Sequence, residues 1–295
     1  MQKFIKQTVV AMAVCALAAT LPACEDTPPK PTQPAMGNDA ISSTGTMQLN
    51  GEIISTPSPV LIVNLLQKNN VPYNAAMTNP VASKDKYVNE TKKALNLGLY
   101  GADLAYTASF NAGQASNDYL DAVVGLSNSL GILEKIDKNL VSSLSAHINN
   151  RDSVLRKSAE FFKLGDRYLR ANEQGHISSY ILIGGWVEGL HLASEAAKAN
   201  KPIADRIGEQ KYAAPSITKL ASQLNDQAFG LVKEELNALC DMLTELESTY
   251  KVATSVNDRE TKTTYLRSKT SVVISAEQLA EITMQVEKVR NLITE

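Results

Sequence analysis

The chain has 295 residues, 44% of them hydrophobic and 20% charged, with a formal net charge of −2. That is long enough for one sizeable or two small domains, and the mild acidity argues against a nucleic-acid partner, which shows as a basic face. Of three cysteines, two fall in the first two dozen residues, so no intrachain disulfide is expected in the body and its stability must come from a core.

The N-terminus reads as a secretory signal over residues 1–23. Lys3 and Lys6 supply the positive start, an apolar run follows from Val9 to Ala19, and Leu21-Pro22-Ala23 places small residues before Cys24. The apolar run is shorter than the about 20 residues a membrane span requires, which marks a removed segment. Its ending resembles the lipobox of bacterial lipoproteins, in which the cysteine is acylated, a palmitate-type modification, and becomes the mature N-terminus. The alternative is an ordinary secretory signal cut elsewhere, leaving a free thiol. Loss of the two lysines takes the net charge to about −4. Acyl chains would hold the protein at a bilayer with about 0.8 kcal/mol per buried methylene. Residues 24–57, with Pro28, Pro29, Pro31 and Pro34 among Thr, Gln, Gly and Ser, read as a disordered tether. Glu25 and Asp26, just after the cysteine, resemble the export signals of Bacteroidetes surface lipoproteins. The expected address is the cell envelope, at the outer membrane, periplasmic or surface-facing.

Residues 58–295 read as a single helical domain. Apolar spacing near 3.6 dominates, and the fold class expected is all-α, an antiparallel multi-helix bundle of about eight helices. Ser58 and Pro59 open a short helix to Gln67. A loop around Pro72 and Pro80 follows, and Ser83 opens a long helix to about Phe110. Further helices are expected near 115–129, 137–148, 152–171, 176–199, 202–210, 215–250 and 276–294, with Ser275 and Gln278 forming a capping box for the last. Val272-Val273-Ile274 alone hints at extended chain, or serves as the apolar staple before that cap.

Two segments carry heptad seams. Phe229, Val232, Leu236, Leu239, Leu243, Leu246 and Tyr250 alternate in steps of three and four, as do Leu279, Ile282, Val286, Val289 and Ile293. Such seams suit packing inside the protein's own bundle or, less simply, a coiled-coil partner. A third seam is made of small residues: Ala94, Gly98, Gly101, Ala105, Ala108 and Ala112. Gly184, Gly185, Gly189, Ala193 and Ala196 give the 176–199 helix a similar face. Glycine costs up to about 1 kcal/mol against alanine inside a helix, so these positions imply close backbone approach. The two helices are expected to cross at or below the low end of the usual 8–10 Å separation. Gly101-Ala-Asp-Leu-Ala105 and Gly189-Leu-His-Leu-Ala193 echo each other, a faint sign of a duplicated helical unit.

Both glycine-bearing helices are nearly chargeless. Asp103 is the only charge between Ala94 and Asn117, and Glu188 the only one between Ile177 and Ser194, with His191 one turn on. Each helix thus brings one carboxylate into a dry region, where burial raises a carboxyl pKa unless a cation or donors compensate. Structural satisfaction by Tyr100, Tyr106, Trp186 or Arg167 is the simpler reading, and a polar ligand pocket the sharper one. The ligand-binding candidates are Asp103, Tyr100, Trp186, Glu188 and His191. Asp103 lies roughly opposite the small-residue seam, so it need not meet Glu188. Glu188-x-x-His191 and Glu173-x-x-His176 match the Glu-x-x-His of di-iron bundles, but their histidines sit about 22 Å apart along one helix. No metal, cofactor or catalytic residue is implied, and no catalytic motif occurs. Cys240, within a leucine-rich helix, reads as a small buried apolar group.

Asn79-Pro80, Tyr87, Ala94-Leu-Asn-Leu-Gly-Leu-Tyr-Gly-Ala-Asp-Leu-Ala-Tyr106 and Gly184-Gly-Trp-Val-Glu-Gly-Leu190 resemble uncharacterised helical lipoproteins of Bacteroidetes, across about residues 60–290. The resemblance implies an envelope address and a helical fold, and transfers no catalytic residue. The function expected is therefore that of a lipid-anchored, non-enzymatic ligand-binding or interaction module. The alternative is a structural or complex-assembly component acting through an exposed helix face. The membrane, through lipid on Cys24, is the one partner expected, beside a protein or small molecule of unknown identity.

Overall fold

A computed structural model describes residues 44–49, 52–57, 59–258 and 262–295. The signal at residues 1–23, Cys24, the first part of the tether and Ser58 lie outside the described residues. Among the described residues the fold is all-α apart from two pairs of antiparallel strands. In chain order the elements are β1 Thr44–Leu49, β2 Glu52–Pro57, α1 Pro59–Lys68, α2 Glu90–Ser109, α3 Gly113–Ser129, α4 Lys138–Ala146, α5 Arg151–Ala171, α6 Gly175–Ala197, α7 Lys201–Gly208, α8 Ala214–Ser222, α9 Gly230–Glu245, β3 Ser248–Asp258, β4 Thr263–Val272 and α10 Ala276–Thr294. Among the described residues ten α-helices stand where about eight were expected, with short 3₁₀ turns between them. None of the described helices is long and apolar enough to cross a membrane.

Three expectations need correction. Residues 44–49 and 52–57, read as disordered tether, are the antiparallel strands β1 and β2, with Leu49 opposite Glu52. In the sequence between them Asn50-Gly51 is a strong turn signal, and the proline-rich stretch before it outweighed that signal. The helix expected to start at Ser83 starts at Glu90, where the Asn89 side chain accepts from the Lys92 amide at 2.7 Å. Asparagine competes well for this capping position. The helix expected over 215–250 is two helices followed by a strand. Asp226 interrupts it by accepting from the Ala228 amide at 3.0 Å, opening a 3₁₀ turn. Beyond Leu246 the run Ser-Thr-Tyr-Lys-Val-Ala-Thr-Ser-Val is rich in β-branched residues, and pairs antiparallel with β4.

The heptad seams fall where expected. Phe229, Val232, Leu236, Leu239, Leu243 and Leu246 are buried, as are Leu279, Ile282, Val286, Val289 and Ile293. Tyr250 leaves the seam because it lies in β3 and is exposed. The Ser275 capping box is complete: its hydroxyl accepts from the Gln278 amide, and the Gln278 side chain accepts from the Ser275 amide.

At the centre, α2 packs on α6. Every residue from Ala94 to Ser109 and from Ile183 to Ser194 is buried. Two glycines make their contact possible. A Cβ on Gly98 would lie 1.8 Å from the Ile181 carbonyl oxygen, and one on Gly184 would lie 1.9 Å from that of Leu95. No side chain fits there, so the two backbones touch. Gly101 serves another neighbour, since its Cβ would meet the Phe162 ring of α5 at 2.5 Å.

Candidate functional site

The connector between α1 and α2, residues 69–89, runs over this crossing as a strap containing two 3₁₀ turns, Ala75–Met77 and Val81–Lys86. A connection this long inside a compact domain must be tied down or functional. Here it is tied down, backbone group by backbone group. The Asn74 amide donates to Tyr106 Oη at 2.9 Å, and the Asn79 amide donates to Asp103 Oδ2 at 3.1 Å. The Asn79 carbonyl accepts from Tyr119 Oη at 2.9 Å, and the Pro80 carbonyl from Tyr100 Oη at 3.0 Å. The Asn79 side-chain amide donates to Tyr87 Oη at 3.0 Å. The Met77 carbonyl faces His191 Nε2 at 2.8 Å and Arg290 Nη2 at 3.4 Å.

Beneath the strap lies an ionic cluster. Glu188 and Asp103 are completely buried. Arg290 of α10 meets Glu188 with both arms of its guanidinium, Nε to Oε2 at 2.7 Å and Nη2 to Oε1 at 3.0 Å. This planar, two-bond pairing is the arrangement that best offsets the desolvation of a buried carboxylate. His191 sits between the Met77 carbonyl and the Glu287 carboxylate, so both ring nitrogens face acceptors. Burial disfavours the Glu287 anion, but the bond and charge of His191 hold its carboxyl below the usual range. Burial likewise disfavours charge on Arg290, and the charge and hydrogen bonds of Glu188, with Glu287 beyond it, keep it a cation.

Asp103 is the odd member. Burial and the nearby Glu188 charge push its carboxyl well above the ordinary aspartate range, against the opposing pull of Arg290 and the Asn79 amide. Its Oδ1 is buried without a donor, yet the carboxyl is within hydrogen-bond reach of Glu188. Two carboxyl groups can share such a contact only through a proton. A protonated Asp103 supplies that proton and places no second anion beside Glu188. The expectation that Asp103 need not meet Glu188 therefore fails: both carboxyl groups lie beneath the strap as neighbours of each other and of Arg290.

Of the five candidates, Asp103, Tyr100, Glu188 and His191 gather under or against the strap. Trp186 does not join them; its indole donates to Gln210 Oε1 at 3.0 Å. Arg290, Glu287, Asn79 and Tyr119 belong to the cluster and were not anticipated; Arg290 supplies the cation for which Arg167 was considered. Glu287 and Arg290 each follow a buried seam residue, Val286 and Val289, by one position. A charge on the flank of an apolar seam was the available signal. Among the described residues no three metal-ligating side chains converge. His176 pairs instead with Glu90 at 3.1 Å, and His147 Nδ1 lies 2.8 Å from the Ser143 carbonyl at the end of α4. A surface cleft of about 340 Å³ is lined by Lys84, Tyr87, Lys93 and Leu126 among others, and none of the five candidates borders it.

No protein family, curated protein or solved structure matches the chain. Its site stands on its own geometry.

Proposed function

We propose that the chain is a lipid-anchored protein of the bacterial envelope, held through acylated Cys24, whose helical domain is a non-enzymatic interaction module. One observation carries the reading. The buried acids of the central helices direct their bonds to Arg290 and to the chain's own backbone at Asn79, which leaves them committed to structure. A general acid needs a reachable substrate, and these carboxyls have no exposure. Recognition then belongs to the periphery. We read the helices as an antiparallel bundle serving as a rigid carrier, a view supported by the two buried seams on α9 and α10. The likeness to Bacteroidetes helical lipoproteins supports the address.

The second reading, an assembly component acting through a helix face, draws on Leu231 of α9 and Met284 of α10. Both are about two-thirds exposed on helices that pack together.

Metabolic labelling with a palmitate analogue tests the anchor. Label is expected in the wild type and not in Cys24→Ser, with that variant leaving the membrane fraction. Glu188→Gln combined with Asp103→Asn tests the committed cluster: a sharp fall in ligand-free stability supports the structural role. Unchanged stability would return Glu188 to the pool of binding residues.

A further inference from the structure

The cleft of about 340 Å³ at the end of the strap takes no part in the polar node. Three elements wall it: the second 3₁₀ turn of the strap with the residues just after it, the start of α2, and α3 near its C-terminal end. Its size falls within the about 300–1,000 Å³ of small-molecule sites. Tyr87 and Leu126, both buried, supply an apolar floor. Val88 stands beside them at 81% exposure, more than any other large apolar side chain described. On α3 the wall is cut away at Gly125, where an added methyl would meet nothing within 4 Å.

The charges around the cleft are unevenly matched. Lys84 reaches both oxygens of Asp85 at 3.0 Å, so that pair is closed on itself. Lys86 lies over the Tyr87 ring, 5.6 Å from its centre. Glu90, the nearest acid to Lys93 along α2, faces His176 at 3.1 Å. Asp121, one turn before Gly125 on α3, is not among the lining residues. Lys93 is half-buried and lines the cleft, and among the described residues it has no carboxylate within ion-pair distance. The cleft therefore joins an apolar floor to one ammonium without an anion.

We propose that this cleft binds a small organic monoanion, a carboxylate carried on a flat apolar body. The body would lie on Tyr87, Val88 and Leu126, and the carboxylate would meet Lys93. A single unmatched cation, with Asp85 at the rim, favours one negative charge over a phosphate or a polyanion. An inorganic anion would leave the apolar floor unused, and burial of that floor is the larger source of affinity. A partly exposed ion pair adds up to about five-fold. The assignment gives a ligand class to peripheral recognition; it rests on the reading that recognition lies outside the node, and acylation at Cys24 plays no part in it.

Equilibrium dialysis of the full chain with 2-naphthoate, and with the neutral 2-naphthalenemethanol, tests this. The two probes share their rings and differ in charge. The wild type should bind naphthoate saturably and about five-fold more tightly than the alcohol. Lys93→Gln should abolish that preference while leaving the affinity for the alcohol unchanged, and Lys93→Arg should keep it. Gly125→Leu, which fills the cleft from α3, should weaken both probes at least about ten-fold. Thermal melts establish that each variant is folded before it is compared. Absence of saturable naphthoate binding would overturn the proposal. So would a Gly125→Leu variant that binds as the wild type does, or a Lys93→Gln variant that retains the preference. None of these results alters palmitate labelling or the stability of the Asp103 and Glu188 variants, so failure of the cleft is distinct from failure of the carrier reading.

Discussion

Glu188 and Arg290 meet in a two-bond pair, 2.7 and 3.0 Å, with the carboxylate at zero exposure and the guanidinium also reaching the Met77 carbonyl. The pair joins α6 to α10 and closes both onto the strap. Asp103 adds α2 to the same junction through the Asn79 amide and as a neighbour of Glu188 and Arg290. Three helices and one long connector therefore share one polar node.

That sharing makes the node non-additive. Removing Glu188 as Gln leaves Arg290 in need of an anion, and Asp103 can ionise to supply it. Glu188→Gln alone should then cost less than the about 3–5 kcal/mol typical of a broken buried pair. Adding Asp103→Asn removes the substitute, so the double variant should be less stable than the single effects sum to, by at least about 1 kcal/mol. Urea unfolding of the four proteins measures this. Simple additivity would remove the proton-sharing account.

The pH dependence follows from the raised Asp103 carboxyl. The folded protein binds this proton more tightly than the unfolded chain, so its stabilising contribution is complete below about pH 4. It is lost as pH rises through the elevated folded value. The wild type should therefore lose stability relative to Asp103→Asn as pH increases from about 4, at up to about 1.4 kcal/mol per unit. Because the proton belongs to the Asp103–Glu188 pair, Glu188→Gln should shift that window downward. A flat difference between pH 4 and pH 8 would show that Asp103 is ionised in the fold.

Glycine substitutions separate close approach from helix propensity. Gly98→Ala and Gly184→Ala each drive a methyl into a carbonyl oxygen, at 1.8 and 1.9 Å, and should cost more than the about 1–3 kcal/mol usual for overpacking. Gly125→Ala on α3 has nothing within 4 Å of the new methyl. It should stabilise the protein by roughly 0.5–1 kcal/mol through helix propensity and chain entropy. Thermal melts of the three variants provide the comparison.

Cys240 is 1% exposed, and burial pushes its thiol up to about 11. It should resist iodoacetamide in the native protein at pH 8 and label at the rate of a free thiol only in denaturant. Labelling at native conditions comparable to that of a model thiol would mean that the α9 seam opens.

The sequence made the central helices legible because chargelessness and small-residue spacing are strong, local signals. Ala94–Ser109 and Ile183–Ser194 are buried, and Gly98 and Gly184 touch backbone. It was silent on the partners of Asp103 and Glu188, because their meeting depends on the crossing angle, which residue spacing along a single helix does not encode. The strap was read only as a loop around Pro72 and Pro80. Its value lies in carbonyls and amides, which every residue has and no composition marks. The strand pairs were missed for different reasons. At Asn50-Gly51 a local turn signal was outweighed by the neighbouring prolines, and at Ser248–Val272 the heptad rhythm was carried four residues too far, to Tyr250.

Amide hydrogen exchange over residues 74–80, in the wild type and in Asp103→Leu, addresses the node most directly. Leucine keeps the volume and removes both the acceptor for Asn79 and the proton shared with Glu188. The strap should exchange at least about ten-fold faster, the loss of roughly 1.4 kcal/mol of local protection, while α2 and α6 stay protected. Unchanged exchange at Asn79 would contradict the claim that the buried acids exist to hold this segment.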